Sequence, residues 1–172
     1  MTVVSDSGPL MALAKIGELD VLFRLFPTIQ TPPSVHAELI TAGLRLGAPD
    51  VAALQERYRT GELLVVSAPD VALPIPALLG PGEEQAILLA IEQKASWVLI
   101  DDLAARQAAI SNFQAAGSGT QLKGTLGIVV ASREAGHLSK DKAVALIETL
   151  RRRQDIWLSS ALCDRALQLL DL

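Results

Sequence analysis

The chain has 172 residues and a net charge of −4, with half of its residues hydrophobic and 3% aromatic, which fits one domain with a sizeable core. Scarce aromatics argue against aromatic stacking platforms as a main device for binding bases, and the mild acidity argues against a dedicated nucleic-acid-binding module while leaving room for a nuclease with a local basic rim. The single cysteine, Cys163, excludes an intrachain disulfide and a cysteine-built zinc cluster; with no visible signal peptide and no apolar run of about 18 residues, a cytoplasmic location without a membrane span is expected.

Thr2–Ser5 reads as a short buried strand ending at Asp6, after which Ser7-Gly8-Pro9 opens a helix carrying Leu10, Leu13 and Ala14 at helical spacing. A second short helix runs from Leu19 to Phe26. Thr28–Thr31 is the next strand, closed by Pro32-Pro33, with Ser34 as the expected cap of a helix from Val35 to about Thr41 that holds Glu38 in its first turn. A polar-faced helix follows from Ala48 to Arg59, then a strand at Leu63–Val66 and a loop from Ala68 to Pro81 with four prolines. Gly82 opens the clearest helix, to about Gln93, with Ala86, Ile87, Ala90 and Ile91 as its apolar stripe. Trp97–Ile100 is a buried strand ending at Asp101-Asp102, and a helix covers Leu103–Phe113. Gln121–Lys123 is a fifth strand, and Gly124-Thr125-Leu126-Gly127 leads into a helix over Ile128–Ala135. Ser139 caps a helix running to Arg153, and Ser159-Ser160 precede a last helix to Leu170. Strands alternating with helices predict an α/β fold with a mainly parallel sheet of about five short strands covered on both faces. Residues 1–172 are expected to form a single domain, the helices from about 139 onward adding a helical layer.

Four acidic positions fall at comparable places in this pattern. Asp6 and the Asp101-Asp102 pair close apolar strands, whereas Glu38 and Glu83 sit in the first turns of helices. Each has an ordinary structural explanation: Asp6 as a helix N-cap, Glu38 as a surface side chain, Glu83 and Glu84 as partners of a helix dipole, Asp102 as a cap beside one solvated carboxylate. Jointly they say more, because an open α/β sheet gathers such positions beyond the carboxyl ends of its strands. Carboxylates collected there repel unless a hard divalent cation, Mg²⁺ or Mn²⁺, neutralises them, and such sites cleave phosphodiesters. Candidate metal ligands are therefore Asp6, Glu38, Glu83 and one of the pair Asp101 and Asp102. Candidate substrate contacts are Ser7, Thr125 at the Gly-Thr-Leu-Gly turn, and Arg106 one turn after Asp102; each has a bland alternative as a cap, turn or pairing residue. Arg106, Lys123, Arg133, Lys140, Lys142 and Arg151–Arg153 are candidates for a basic rim, against a plain reading as solvated helix faces. His36 and His137 show no metal-ligand spacing.

Five motifs in order carry a family resemblance: Asp6-Ser7-Gly8-Pro9-Leu10, Pro32 to Leu39, Gly82 to Ala90, Asp101 to Arg106, and Gly124 to Ile128. Together they resemble the PIN-domain nuclease superfamily, in a prokaryotic PIN-like branch related to VapC-type toxins of toxin–antitoxin systems. The resemblance implies a three-layer α/β/α PIN fold and a metal-dependent endoribonuclease centre at Asp6, Glu38, Glu83 and Asp102. It also implies an RNA substrate, a small antitoxin partner and a homodimer. The sequence departs from the pattern at Gln85, where the branch has a second Glu.

Two other classes compete. One is a catalytically inactive PIN-like module that binds or regulates. The other is a phosphotransfer α/β domain, which fails because a receiver carries its acidic pair after the first strand and a dehalogenase-type phosphatase needs an Asp where Gly8 stands.

Overall fold

Every residue of β1 (Val3–Ser5) is buried, which requires cover on both faces of its sheet. The strand pairs in parallel with β2 (Ile29–Thr31) on one side and β4 (Trp97–Leu99) on the other. β3 (Leu63–Val65) lies outside β2, and β5 (Gln121–Lys123) outside β4. The order is β3-β2-β1-β4-β5, parallel throughout, and each strand agrees with its expected bounds to within a residue. The structure, a computed structural model, describes residues 1–42 and 50–171. Among these, no helix is long and apolar enough to cross a membrane.

Alternation of side chains along each strand divides the core in two. Val3 and Leu99 join a cluster with α1 (Ser7–Lys15), α2 (Leu19–Leu25), α4 (Asp50–Thr60) and α7 (Thr125–Glu134). Val4, Val98 and Ile100 join the opposite cluster with α5 (Pro81–Glu92) and α6 (Leu103–Ala115). The result is the expected three-layer α/β/α arrangement. α8 (Lys140–Arg152) and α9 (Ser160–Leu170) pack on α7 and on each other, adding Leu146, Ile147, Leu150 and the free thiol Cys163 to the first cluster. Ser139 and Ser159 cap them, each hydroxyl oxygen accepting a backbone N–H two residues into the first turn.

Chain order sets where function can gather. From β1 the chain runs outward through β2 to β3, then returns to β4 on the other side of β1. The carboxyl ends of β1 and β4 are thus adjacent and flank the point where the winding reverses, where such sheets leave a crevice. The pairing of Ser5 with Leu99 and the Asp6 N–H bond to the Leu99 carbonyl (3.0 Å) bring the two strand ends level.

One expectation is corrected. Ser34 does not cap a helix: α3 (Pro33–His36) begins one residue earlier, with Pro32 at the N-cap, and continues into a wider π-helical segment, Ala37–Ala42. The Ser34 hydroxyl instead donates to Gln85 Oε1 (2.8 Å) and the Pro81 carbonyl (3.3 Å), joining α3 to α5. The expected helix start at Ala48 lies outside the described residues, and α4 is described from Asp50. The proline-rich stretch is a loop, as expected, and it is pinned to the core. Leu73 is buried in the second core cluster. Buried Asn112 accepts from the Ile75 N–H (2.8 Å) and donates to the Ile75 carbonyl (3.1 Å) and the Ala108 carbonyl (2.9 Å).

Asn112→Ala would leave the Ile75 backbone groups without these partners. A loss of about 2 kcal/mol in urea denaturation is expected, together with faster proteolytic nicking within residues 66–80.

Candidate active site

A cleft of about 480 Å³ opens at this switch point. Its lining includes Asp6, Glu38, Glu83, Asp101 and Asp102, so acids from four separate stretches of chain share one space. A larger hollow of about 630 Å³ lies where β4 and β5 begin, around Ser96, Trp97 and Gln121, and has no acidic residue in its lining.

Asp6 follows β1 directly and stands at the N-cap of α1, only 6% exposed. Its Oδ1 is buried and has no hydrogen-bond partner, and the side chain makes no cap bond. Burial pushes its pKa from 3.8 up to about 6; the nearby Ser7 and Gly8 N–H groups oppose the rise, while the charges of Glu38 and Glu83 add to it. A buried carboxylate without a partner is costly, and its electrostatic neighbours are other carboxylates.

Asp101 is held firmly. Its Oδ1 accepts from the Thr125 N–H (2.7 Å) and its Oδ2 from the Thr125 hydroxyl (2.6 Å). Burial raises its pKa, against these two bonds and the charge of Arg106. A Cβ added at Gly8 would stand 3.5 Å from Asp101 Oδ2 and 3.8 Å from Asp6 Oδ2, so both carboxylates close on one glycine. A Cβ at Gly124 would stand 2.8 Å from Asp101 Oδ1, closer than real contacts allow, so that turn must lack a side chain.

Asp101 and Asp102 both line the cleft but have different surroundings. Asp102 is exposed, and its Oδ1 accepts from the Ala105 N–H (2.8 Å) as the N-cap of α6. Thr125 is reassigned: it is fully buried, with both donors spent on Asp101 rather than turned to a substrate. Arg106 pairs with neither Asp102 nor the cleft; its Nη1 donates to the Ile100 carbonyl (2.8 Å), behind Asp101. Ser7 lines the cleft but caps nothing.

Glu38 and Glu83 come from the helices facing these strand ends. Glu38 is exposed, and its carboxylate lies against the first turn of α5, where a Cβ at Gly82 would meet Oε1 at 2.7 Å. Glu83 is half-buried, and its Oε2 accepts from the Gly80 N–H (2.9 Å), steadying the start of α5. Neither Glu84 nor Gln85 lines the cleft, and Gln85 is turned to Ser34.

Among the described residues, no three Asp, Glu, His or Cys side chains already stand together as a closed metal site. The donor chemistry nonetheless fits a hard divalent cation. The available donors are carboxylate oxygens, one of them buried and unpartnered, and opposite charge is what the group lacks. The carboxylates that line the cleft and could hold it are Asp6, Glu38, Glu83, Asp101 and Asp102.

The basic rim does not form. None of its candidates lines the cleft. Lys140 pairs with Asp171, Lys142 with Glu18, Arg151 with Asp164 and Arg153 with Asp155, while the Lys123 ammonium lies over the Trp97 ring. Sequence patterns missed Lys15, Asp155, Ile156 and Trp157, which complete the lining. The last three belong to the connection between α8 and α9, a stretch without motif or periodicity.

Asp6→Asn is expected to stabilise the cation-free chain. Ionised Asp6 is penalised only in the folded state, so the penalty is absent below about pH 4, grows between pH 4 and 6 and is complete above. The rise from 3.8 to about 6 corresponds to a gain of up to about 3 kcal/mol for the variant at pH 8, and none at pH 4. Melting curves in chelator across this range check the sign.

A PIN-domain family model matches residues 2–172. No curated protein and no solved structure matches the chain. PIN domains are generally nucleases that use divalent metals and bind nucleic acid. With its β3-β2-β1-β4-β5 sheet and acids converging where that sheet reverses, the chain belongs to the PIN-domain family.

Proposed function

We propose that this protein is a metal-dependent endoribonuclease whose centre is Asp6, Asp101, Glu38 and Glu83, acting with Mg²⁺ or Mn²⁺ on RNA. The observation that carries this reading is Asp6, buried without a partner for Oδ1 beside Asp101 and under the charges of Glu38 and Glu83. A bound divalent cation supplies the charge that activates water and stabilises the leaving oxygen in an in-line displacement, giving a 5′-phosphate and a 3′-hydroxyl. The chain's residues divide the remaining work. Thr125 fixes Asp101 with two bonds, so that carboxylate keeps its place at the end of β4. Asp6 is fixed by the backbone bond to Leu99. Glu38 and Glu83, reaching in from α3's continuation and α5, adjust to the pair. Kinship with toxins extends the proposal to the toxin component of a toxin–antitoxin pair, restrained by a small antitoxin and acting as a homodimer.

A second reading, an inactive PIN-like binding or regulatory module, is favoured by the ties already on several donors. Both oxygens of Asp101 are engaged, one of Glu83 caps α5, and no three donors stand together among the described residues. Calorimetry decides between the two: no Mn²⁺ binding at millimolar metal selects the inactive module.

Asp6→Asn and Asp101→Asn are each expected to lower Mn²⁺-dependent cleavage of single-stranded RNA by at least about a hundredfold with the fold retained. Asp102→Asn, a change of cap, should cost less than about 1 kcal/mol of stability and spare most activity. Full activity in Asp6→Asn, or equal damage in Asp102→Asn, sinks the assignment.

Gly82→Ala isolates Glu38 without touching it. The new methyl group displaces the Glu38 carboxylate, the end of a flexible exposed side chain, while alanine favours the helix by up to about 1 kcal/mol. Thermal stability should hold or rise, and Mn²⁺ affinity should fall as far as it does in Glu38→Gln. Unchanged affinity in both variants removes Glu38 from the ligand set.

A further inference from the structure

Trp157 is 91% exposed, yet it stands on the lining of the same cleft as Asp6 and Asp101. An indole left in water gives up the burial that ordinarily stabilises a fold, so its place needs another reason.

Its direction is built in. Ile156 and Leu158 on either side pack against the core, and the Leu158 N–H donates to the Ile156 carbonyl (3.2 Å), closing a three-residue turn with Trp157 at its centre. With both neighbours facing inward, the indole faces out. The segment is anchored next to this turn. Lys15 Nζ at the end of α1 donates to the Asp155 carbonyl (2.7 Å), and Arg153 holds the Asp155 carboxylate through two bonds of 2.7 Å. Arg153 also keeps that carboxyl well below the usual carboxylate range, so the anchor stays charged.

The chemistry of the cleft says what such a ring is for. Among the described residues, Lys15 is the only basic one that lines the cleft, and it is already engaged with Asp155. Side-chain cations therefore contribute little to holding a phosphate backbone, and attraction must come from bound divalent cations and from contacts that ignore charge. An aromatic face is such a contact, because every base has a face to lay on it.

We infer that the Trp157 indole is the stacking platform for one base of a single-stranded nucleic acid whose backbone enters the acidic cleft. Trp157 is thus a positioning residue that selects unpaired over paired strands, since a base inside a duplex is already stacked and must be turned out before it can reach the ring. This rests on the nuclease reading for the identity of the ligand, but on Trp157 and its turn for the contact itself.

The test compares wild type, Trp157→Phe and Trp157→Ala in Mn²⁺ on a single-stranded oligoribonucleotide and on its duplex. For the single strand, Trp157→Ala should raise KM by about tenfold or more with kcat within about threefold, and Trp157→Phe should recover most of the loss. Thermal melts should be unchanged, because the side chain is 91% exposed. Single strands should quench the emission of wild type but not of Trp157→Phe, which retains only Trp97. Duplex should quench neither. An unchanged KM in Trp157→Ala overturns the stacking role and leaves the nuclease reading standing. Quenching without any cleavage keeps the platform and rejects the nuclease. Neither cleavage nor quenching overturns both. A normal KM combined with a dimer-to-monomer shift in light scattering overturns the stacking role by assigning the indole to a protein interface.

Discussion

The Asp6 carboxylate is buried where a charge has no partner, and the rest of the site is arranged around that expense. The Ser7 and Gly8 N–H groups offset only part of the cost of burial, and its Oδ1 has no hydrogen-bond partner among the described residues. The charges nearest to it, from Glu38 and Glu83, push in the wrong direction. A folded chain carries such a penalty only if the whole topology fixes the position, and here it does. β1 is the central strand, every residue of it is buried, and its end is tied to β4 by backbone. The carboxylate cannot move away without unpairing the middle of the sheet.

Rigidity is distributed unevenly among the acids. Asp6 and Asp101 sit at strand ends, where the backbone is part of the sheet and Thr125 clamps the second of them. Glu38 and Glu83 reach in on longer side chains from helix starts joined by the bonds of Ser34 to Gln85 and Pro81. Two anchored donors and two that adjust make a site that tightens around a charge without rearranging the fold. The glycines of the motifs serve the same end. Gly82 and Gly124 each stand where a side chain would press on one of the acids, and Gly8 lies between Asp6 and Asp101. Gln85, the one departure from the family pattern, takes up a bracing role between α3 and α5 and does not line the cleft.

The strands and the convergence of the acids were legible in the sequence because both follow from local patterns. Short β-rich runs bounded by Gly and Pro mark the strands, and parallel winding forces their carboxyl ends together. What was not legible depends on side-chain direction and on distant contacts. Asp101 and Asp102 are adjacent and identical in type. Both line the cleft, but the chain turns from strand to helix between them, so that one meets Thr125 and the other caps α6. Thr125 looked like a donor for substrate because the sequence cannot show that Asp101 lies in front of it. The proposed rim failed for a related reason. A basic residue on a helix reads the same whether it faces substrate or an acid brought near by the fold, as Arg151 meets Asp164 and Lys142 meets Glu18.

Charge accounts for the remaining peculiarity of the cleft. Six of the residues that line it are acidic, one is basic, and that one is bound to Asp155. Such a surface repels a polyanion at rest. If its cations come from solution, strand and metal become mutually dependent ligands. The cation lowers the cost of bringing a phosphate in, and the phosphate completes the cation's oxygen shell. An enzyme built on fixed arginines holds any nucleic acid it meets. On the proposed reading, a cleft with no arginine among its described lining would hold a strand only with metal bound and a base laid on an aromatic face, and Trp157 is the one large aromatic surface among those residues.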